Sequence, residues 1–299
     1  MTKRLQGMVC AMITPMLEDG SVDLEGVARL TEHLIAQGVP CLYPNGTNGE
    51  SLSLTAEERK RVAETVLDAS QKRAAVYIQC GASTVAESYA HVLHAQKIGA
   101  DGAGLMTPVF FPVDEPAMEQ YYDDILRRTE GFPLYAYNIP SRSGNDISPA
   151  LLGRLMERYP ALLGIKFSLP DLLRFEEYVG CCRSRSTDAL IGCDRLALSA
   201  MVLGGAGWVS GPGACFCPWF VRLYDEFRSG DLPKAMATQR ELQRISDGLR
   251  GLPEIPAVKY MLKRQGVISH DTARSPLRPL TDEEKERLDA FVYQTASLQ

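Results

Sequence analysis

The feature that most constrains this chain is the regular return of a short apolar run followed by a longer amphipathic stretch. Runs able to form buried strands fall at 8–13, 41–44, 75–80, 102–106, 134–137, 162–167, 189–193 and 207–210. Amphipathic segments between them include 24–36, 57–69, 85–98, 118–128 and 149–158. One residue at each strand end, positions 14, 47, 81, 107, 137, 166, 193 and 210, gives successive gaps of 33, 34, 26, 30, 29, 27 and 17. Eight such β/α units predict an α/β fold, a closed (β/α)8 TIM barrel over residues 1–230. An open doubly wound sheet is disfavoured because no G-x-G-x-x-G follows the first strand. The seventh gap leaves room only for a short helix near 196–203. From about Phe216 the alternation stops, and helices are predicted around 216–229, 232–249, 254–265 and 282–296. The first of these serves as the barrel's eighth helix. The rest form a C-terminal helical extension, 231–299, packed on the barrel.

Helix starts are marked by residues that satisfy free N–H groups: Thr55 with Glu58, Thr84 with Glu87 and Thr281 with Glu284 all fit a capping box. A formal charge of −5 argues against nucleic-acid or anionic-membrane partners, both of which call for a basic face. The apolar stretch before Thr14 and Pro15 is too short for a signal-peptide core, and no apolar segment reaches the roughly 20 residues that span a bilayer, so a cytoplasmic location is expected. In that setting the eight cysteines read as reduced core residues. Cys215-Phe-Cys217 and Cys181-Cys182 lack the paired spacing of a zinc site, and no metal is expected. His91 and His94 read as a solvated helix face rather than metal ligands.

In a barrel, reactive groups belong at the C-terminal strand ends and the loops that follow. Three polar stretches fall there: Asn45-Gly-Thr-Asn-Gly-Glu-Ser51, Tyr137-Asn-Ile-Pro-Ser-Arg-Ser-Gly144 and Lys166-Phe-Ser168. Lys166 ends the apolar run ALLGIKFS, where an amine either snorkels out or meets a carboxylate, or is desolvated into a nucleophile for Schiff-base chemistry. Tyr137 lies 29 residues earlier, one repeat, hence level with Lys166 on the neighbouring strand. Strands roughly 4.8 Å apart let a phenol and an amine approach one carbonyl carbon together. Alone, Tyr137 reads equally as a core aromatic. Thr47 offers a hydroxyl to orient the phenol, and Gly46 and Gly49 let backbone N–H groups approach an anion, although the same loop also reads as an ordinary turn. Asp194 reads as a helix cap, with a substrate-hydroxyl ligand as the alternative.

The combination of GTNGES at Thr47, YNIP at 137–140, GIKFS around Lys166, Thr14-Pro15 followed by Asp19-Gly-Ser-Val-Asp23, and Pro279-Leu-Thr281 resembles the dihydrodipicolinate synthase and N-acetylneuraminate lyase family. The resemblance runs over essentially the whole chain. It implies class I aldolase chemistry on pyruvate and an aldehyde, with no metal or organic cofactor, in a homotetramer or dimer. By position, Lys166 is then the imine-forming lysine, Tyr137 the proton shuttle and Thr47 its hydroxyl partner. Asn48, Gly49, Arg142 and Val209 fall among substrate-binding positions, Asn48 standing where a second Ser or Thr is usual.

Arg142 matches the arginine with which dihydrodipicolinate synthases bind the aldehyde's carboxylate, and a guanidinium suits bidentate carboxylate recognition. Phe110 stands where such synthases usually lend a tyrosine across a subunit interface, so that hydroxyl is missing. Trp208 and Ser210-Gly-Pro-Gly213 also depart from a standard synthase. The resemblance therefore implies a dihydrodipicolinate synthase-like lyase, with an N-acetylneuraminate lyase or a 2-keto-3-deoxy sugar acid aldolase or dehydratase as alternatives. A non-catalytic keto-acid-binding regulatory barrel is the alternative of another class.

Overall fold

The computed structural model describes residues 3–129 and 131–296, with side chains described as far as residue 292. Eight parallel strands close into a barrel in sequence order, β1 pairing with β8. The order is β1 Gly7–Ala11, α1 Leu24–Ala36, β2 Cys41–Tyr43, α2 Ala56–Ser70, β3 Ala75–Gln79, α3 Val85–Lys97, β4 Gly102–Met106 and α4 Glu115–Leu126. It continues with β5 Leu134–Asn138, α5 Pro140–Ser143, α6 Pro149–Arg158, β6 Leu162–Phe167, α7 Leu172–Arg183, β7 Asp188–Ile191, α8 Ala197–Val202 and β8 Gly207–Ser210. Then come α9 Cys217–Arg228, α10 Leu232–Gly248, α11 Glu254–Arg264 and α12 Asp282–Ala296. The eight expected strands are all present.

Strand alternation divides the buried side chains between two cores. On β6, Ile165 and Phe167 point outward into the layer between sheet and helices, alongside Leu134 and Ala136 of β5. Val9, Tyr43, Tyr77, Tyr135, Leu190 and Val209 point inward and fill the barrel. Three tyrosines on one barrel axis need space, and β4 supplies it. A Cβ on Gly104 would lie 1.7 Å from the Tyr43 hydroxyl, so a larger residue there would displace that ring.

Several expectations are corrected. The first strand ends at Ala11 rather than residue 13. Met12 N still donates to Tyr43 O at 3.2 Å, but the chain then turns beneath the 45–51 loop, where Thr14 Oγ1 donates to Gly49 O at 2.8 Å. α4 begins at Glu115 rather than residue 118, because Asp114 caps Ala117 N and Pro116 occupies its first turn. Thr55 and Glu58 form the full capping box, and Thr281 and Glu284 exchange both bonds as well. Thr84 makes only its half, accepting from Glu87 N. The Glu87 carboxylate instead sits 3.8 Å from His91 Nε2. His91 is buried, not on a solvated face, and burial with the Arg59 charge nearby lowers its imidazole to about 3. His94 bonds Glu64 at 2.9 Å. All eight cysteines are free thiols.

Candidate active site

At the C-terminal mouth of the barrel, Tyr137 and Lys166 are register partners on β5 and β6. Because Ile165 and Phe167 face the helices, Lys166 faces inward, and it is only 5% exposed. Its Nζ lies 3.8 Å from the centroid of the Tyr137 ring and 4.9 Å from that of Tyr43. The two rings meet edge to face at 6.2 Å. The amine therefore rests against two aromatic faces instead of a carboxylate. An ammonium, or an iminium formed from it, is attracted by both ring quadrupoles.

Thr47 Oγ1 and Tyr137 Oη share a hydrogen bond of 3.1 Å. The loop carrying Thr47 is held from all sides. Asn45 and Glu50 both adopt left-handed backbone conformations. Asn45 Nδ2 donates to Arg59 O at 2.8 Å. The Glu50 carboxylate, with 1% side-chain exposure, meets Lys259 Nζ of α11 at 2.5 Å and accepts from Arg274 N at 2.8 Å. Lys259 itself is fully buried and also donates to Thr272 O at 2.7 Å. The backbone N–H groups of Asn48 and Gly49 donate to no acceptor among the described residues. Such an arrangement can receive an anion.

A cavity of about 420 Å³ opens onto Lys166, Tyr137, Thr47, Asn48, Arg142 and Val209. Six of the seven expected site residues thus share one space. Gly49 does not line it and lies behind the wall, its carbonyl bonded to Thr14. Arg142, on the short α5, is exposed and has no acidic partner among the described residues. Among those residues there is also no group of three or more His, Cys, Asp or Glu placed to hold a metal ion.

Gly192 and Glu254, which sequence reasoning passed over, also line the cavity, together with Ser168 and Ser210 from the stretches noted in the sequence. Asp194 is also there, and it does not cap a helix; the short turn it opens has no side-chain cap. Its Oδ2 accepts from Ser210 Oγ at 2.9 Å, while Oδ1 is closed off from solvent and has no hydrogen-bond partner among the described residues. The residue as a whole is only partly buried, but it is the enclosure of the carboxyl oxygens that governs their charge. Desolvation, opposed by the Ser210 bond and reinforced by the Glu254 carboxylate, raises the Asp194 carboxyl to about 7. Glu254, the first residue of α11, enters from outside the barrel and accepts from Asn48 Nδ2 at 3.4 Å. Nothing in the local sequence around Glu254 marks it for this place.

A lysine enclosed at the mouth of an eight-stranded parallel barrel, level with a phenol and beside an anion-receptive loop, defines a lyase of the Schiff-base aldolase class. The chain belongs to the Dihydrodipicolinate synthetase family, whose sequence profile matches residues 4–295. It is 35% identical over 247 residues to the N-acetylneuraminate lyase of Rattus norvegicus, covering 81% of this chain and 77% of that one. It is 32% identical over 284 residues to the 4-hydroxy-tetrahydrodipicolinate synthase of Acidiphilium cryptum (strain JF-5), covering 95% and 96%. Among solved structures it superposes on YagE, a prophage protein of the dihydrodipicolinic acid synthase family from E. coli K12 in complex with pyruvate. That match has a TM-score of 0.92, 26% identity, and 97% and 98% coverage. The protein is therefore a class I, pyruvate-dependent lyase.

Proposed function

We propose that Lys166 forms an imine with pyruvate and that the resulting enamine adds to, or is released from, an aldehyde. The observation that carries this reading is the buried Lys166 amine, set against Tyr137 and Tyr43 with no carboxylate partner among the described residues. The amine attacks C2 of pyruvate, water leaves, and loss of a C3 proton gives the enamine. Tyr137, oriented by Thr47, is placed to move the protons of carbinolamine dehydration. The Asn48 amide, with the Gly49 amide behind it, receives the pyruvate carboxylate, and Val209 packs against the pyruvoyl end. Arg142, at the cavity rim with no acidic partner among the described residues, binds an acid group on the aldehyde half. No metal or organic cofactor enters these steps.

Two readings of the substrate differ in their support. Arg142 favours an aldehyde with a distal carboxylate, as in dihydrodipicolinate synthesis. Phe110 lacks the hydroxyl a synthase usually lends, and the carboxyls of Asp194 and Glu254 favour hydroxyl groups, as in a 2-keto-3-deoxy sugar acid or sialic acid. A multi-copy assembly, dimer or tetramer, is supported by two exposed apolar surfaces. One carries Phe110 and Phe111, 83% and 71% exposed, and the other carries Leu173, Val202, Leu232 and Met236. Light scattering reads the copy number, and a monomer would remove that part of the reading.

The test of the chemistry is incubation with pyruvate and borohydride. One reduced pyruvyl group per chain is expected, mapped to Lys166. Tyr137→Phe should keep the fold and lose about 10²–10⁴-fold in turnover. An adduct on another lysine, or none, ends the mechanism.

A further inference from the structure

Two charged side chains of the cavity wall have no opposite charge beside them among the described residues, and they stand on opposite rims of the mouth. In a closed ring of eight strands taken in sequence order, β5 faces β1. Arg142 belongs to α5, which follows β5 directly, and its guanidinium is exposed. Glu254 is fixed over the other rim by its neighbours. It accepts from Asn48 Nδ2, in the loop after β2, at 3.4 Å, and its Oε1 would lie 3.3 Å from a Cβ on Gly211, just beyond β8. Both β2 and β8 pair with β1, so the carboxylate sits above β1, whose last residue, Ala11, also lines the cavity. Gly211 admits the contact, because a Cβ there would lie 1.7 Å from Asn48 Nδ2.

The other charges of the wall are engaged or enclosed. Arg195 is committed to Asp247 at 2.6 Å. Asp194 holds one carboxyl oxygen on Ser210 and the other away from solvent. Glu254, by contrast, is exposed, lines the cavity and forms no ion pair among the described residues. Asn48 uses only one of its lone pairs, and the rest can accept from a ligand. An acid in the first turn of a helix is favoured by the macrodipole, which accounts for a carboxylate at the start of α11. It does not account for that carboxylate meeting Asn48 and facing the cavity.

We propose that Glu254 is a specificity-determining residue that accepts a hydrogen bond from a hydroxyl group on the aldehyde half, on the side of the mouth opposite the acid end held by Arg142. The inference rests on the pyruvate imine at Lys166 and deepens the reading of the substrate. An aldehyde laid across the mouth meets a cation on the β5 rim and an anion on the β1 rim, so only one orientation satisfies both. The reverse orientation brings the ligand's carboxylate against Glu254, and like charges in contact count against it. A bare alkyl chain on the β1 side takes water from the carboxylate and returns no hydrogen bond, which is also costly. The class selected is a hydroxylated aldehyde with a distal acid group, joined to or released from pyruvate as a 2-keto-3-deoxy diacid.

The experiment measures two increments on enzyme saturated with pyruvate. The hydroxyl increment is kcat/KM for D-glyceraldehyde divided by that for propionaldehyde. The acid increment is kcat/KM for succinic semialdehyde divided by that for butyraldehyde. Each is a ratio within one variant, so an unfolded fraction or a slower pyruvate half-reaction cancels, and the aldehydes' own reactivities are the same in every variant. Glu254→Ala should lower the hydroxyl increment by about 5- to 50-fold, the range for a hydrogen bond to a charged group that water partly reaches, without lowering the acid increment. Glu254→Gln, which keeps an acceptor oxygen without the charge, should retain part of the hydroxyl increment. Arg142→Ala should lower the acid increment alone. An unchanged hydroxyl increment in Glu254→Ala, equal falls in both increments, a glutamine variant no better than alanine, or a wild type that does not prefer glyceraldehyde or accepts neither three-carbon aldehyde overturns the inference. Failure of wild-type trapping at Lys166 is a different result and ends the imine reading itself.

Discussion

Replacing Lys259 by methionine removes the cation of an ion pair that is 0% and 1% exposed, on a helix that follows the barrel. Methionine keeps the apolar stem, so little packing volume is lost and the charge is what changes. Glu50 would then keep only the Arg274 N–H at 2.8 Å, and Thr272 O would lose the donor now 2.7 Å away. Breaking one side of a buried pair leaves an uncompensated charge and typically costs about 3–5 kcal/mol. Surface pairs are worth far less, so a loss of that size depends on the enclosure seen here. Glu50→Gln in the same background removes the stranded charge and should restore part of the loss, a coupling of roughly 0.5–3 kcal/mol.

The consequence for function is local. Glu50 sits in a left-handed backbone conformation three residues after Thr47, and strain of that kind persists only where the surroundings hold it. Lys259→Met should therefore loosen the Thr47–Tyr137 hydrogen bond and slow imine trapping at denaturant concentrations where the barrel is still folded. Urea midpoints by circular dichroism, compared with borohydride trapping at each concentration, read both effects. A loss under 1 kcal/mol, taken roughly as the ceiling for exposed pairs, would refute the reasoning. So would two single variants whose costs simply add in the double.

Two further outcomes follow from the same structure. Tyr43→Leu removes one of the two ring faces beside Lys166 while Tyr43→Phe keeps it; a cation–π contact worth roughly 0.5–2 kcal/mol predicts an imine equilibrium about 2- to 30-fold weaker in the leucine variant only. Pyruvate titration with borohydride trapping reads this, and equal weakening in both variants would assign the effect to the hydroxyl instead. The Arg274 guanidinium, bonding Glu58 through both of its terminal nitrogens, holds that carboxyl at about 2, below its ordinary 4.5. A depressed carboxylate contributes stability that is complete above its ordinary value and lost as pH falls through the folded value. Wild type should therefore lose more stability than Glu58→Gln between pH 4.5 and about 2, and parallel urea midpoints over that interval would contradict the assignment.

Much of the barrel is legible because its signal is periodic. Strand ends recur every 26 to 34 residues over the first six intervals, and the 29-residue step from Tyr137 to Lys166 becomes a register pair. The residues that escaped are those whose role depends on a neighbour far away in sequence. His91 has helical spacing to His94, but the burial that lowers its imidazole comes with Arg59 on another helix. Asp194 stands where a cap is ordinary, and only Ser210, sixteen residues on, and Glu254 make it a cavity carboxyl.

Glu254 is the clearest case. The helical tail has no strand end to mark a site, yet α11 reaches the mouth of the barrel at two points five residues apart. Lys259 fixes the loop that carries Thr47, and Glu254 meets Asn48, the next residue of that loop. Asn48 is also the position that departs from the Ser or Thr usual in the resemblance. The longer amide carries its donor outward, Nδ2 to the Glu254 carboxylate, while its backbone N–H donates to no acceptor among the described residues. Changes at 48 and 254 should therefore be tolerated together and resisted singly. If Asn48→Thr alone leaves borohydride trapping of pyruvate at the wild-type level, the tail does not govern the cavity through this contact.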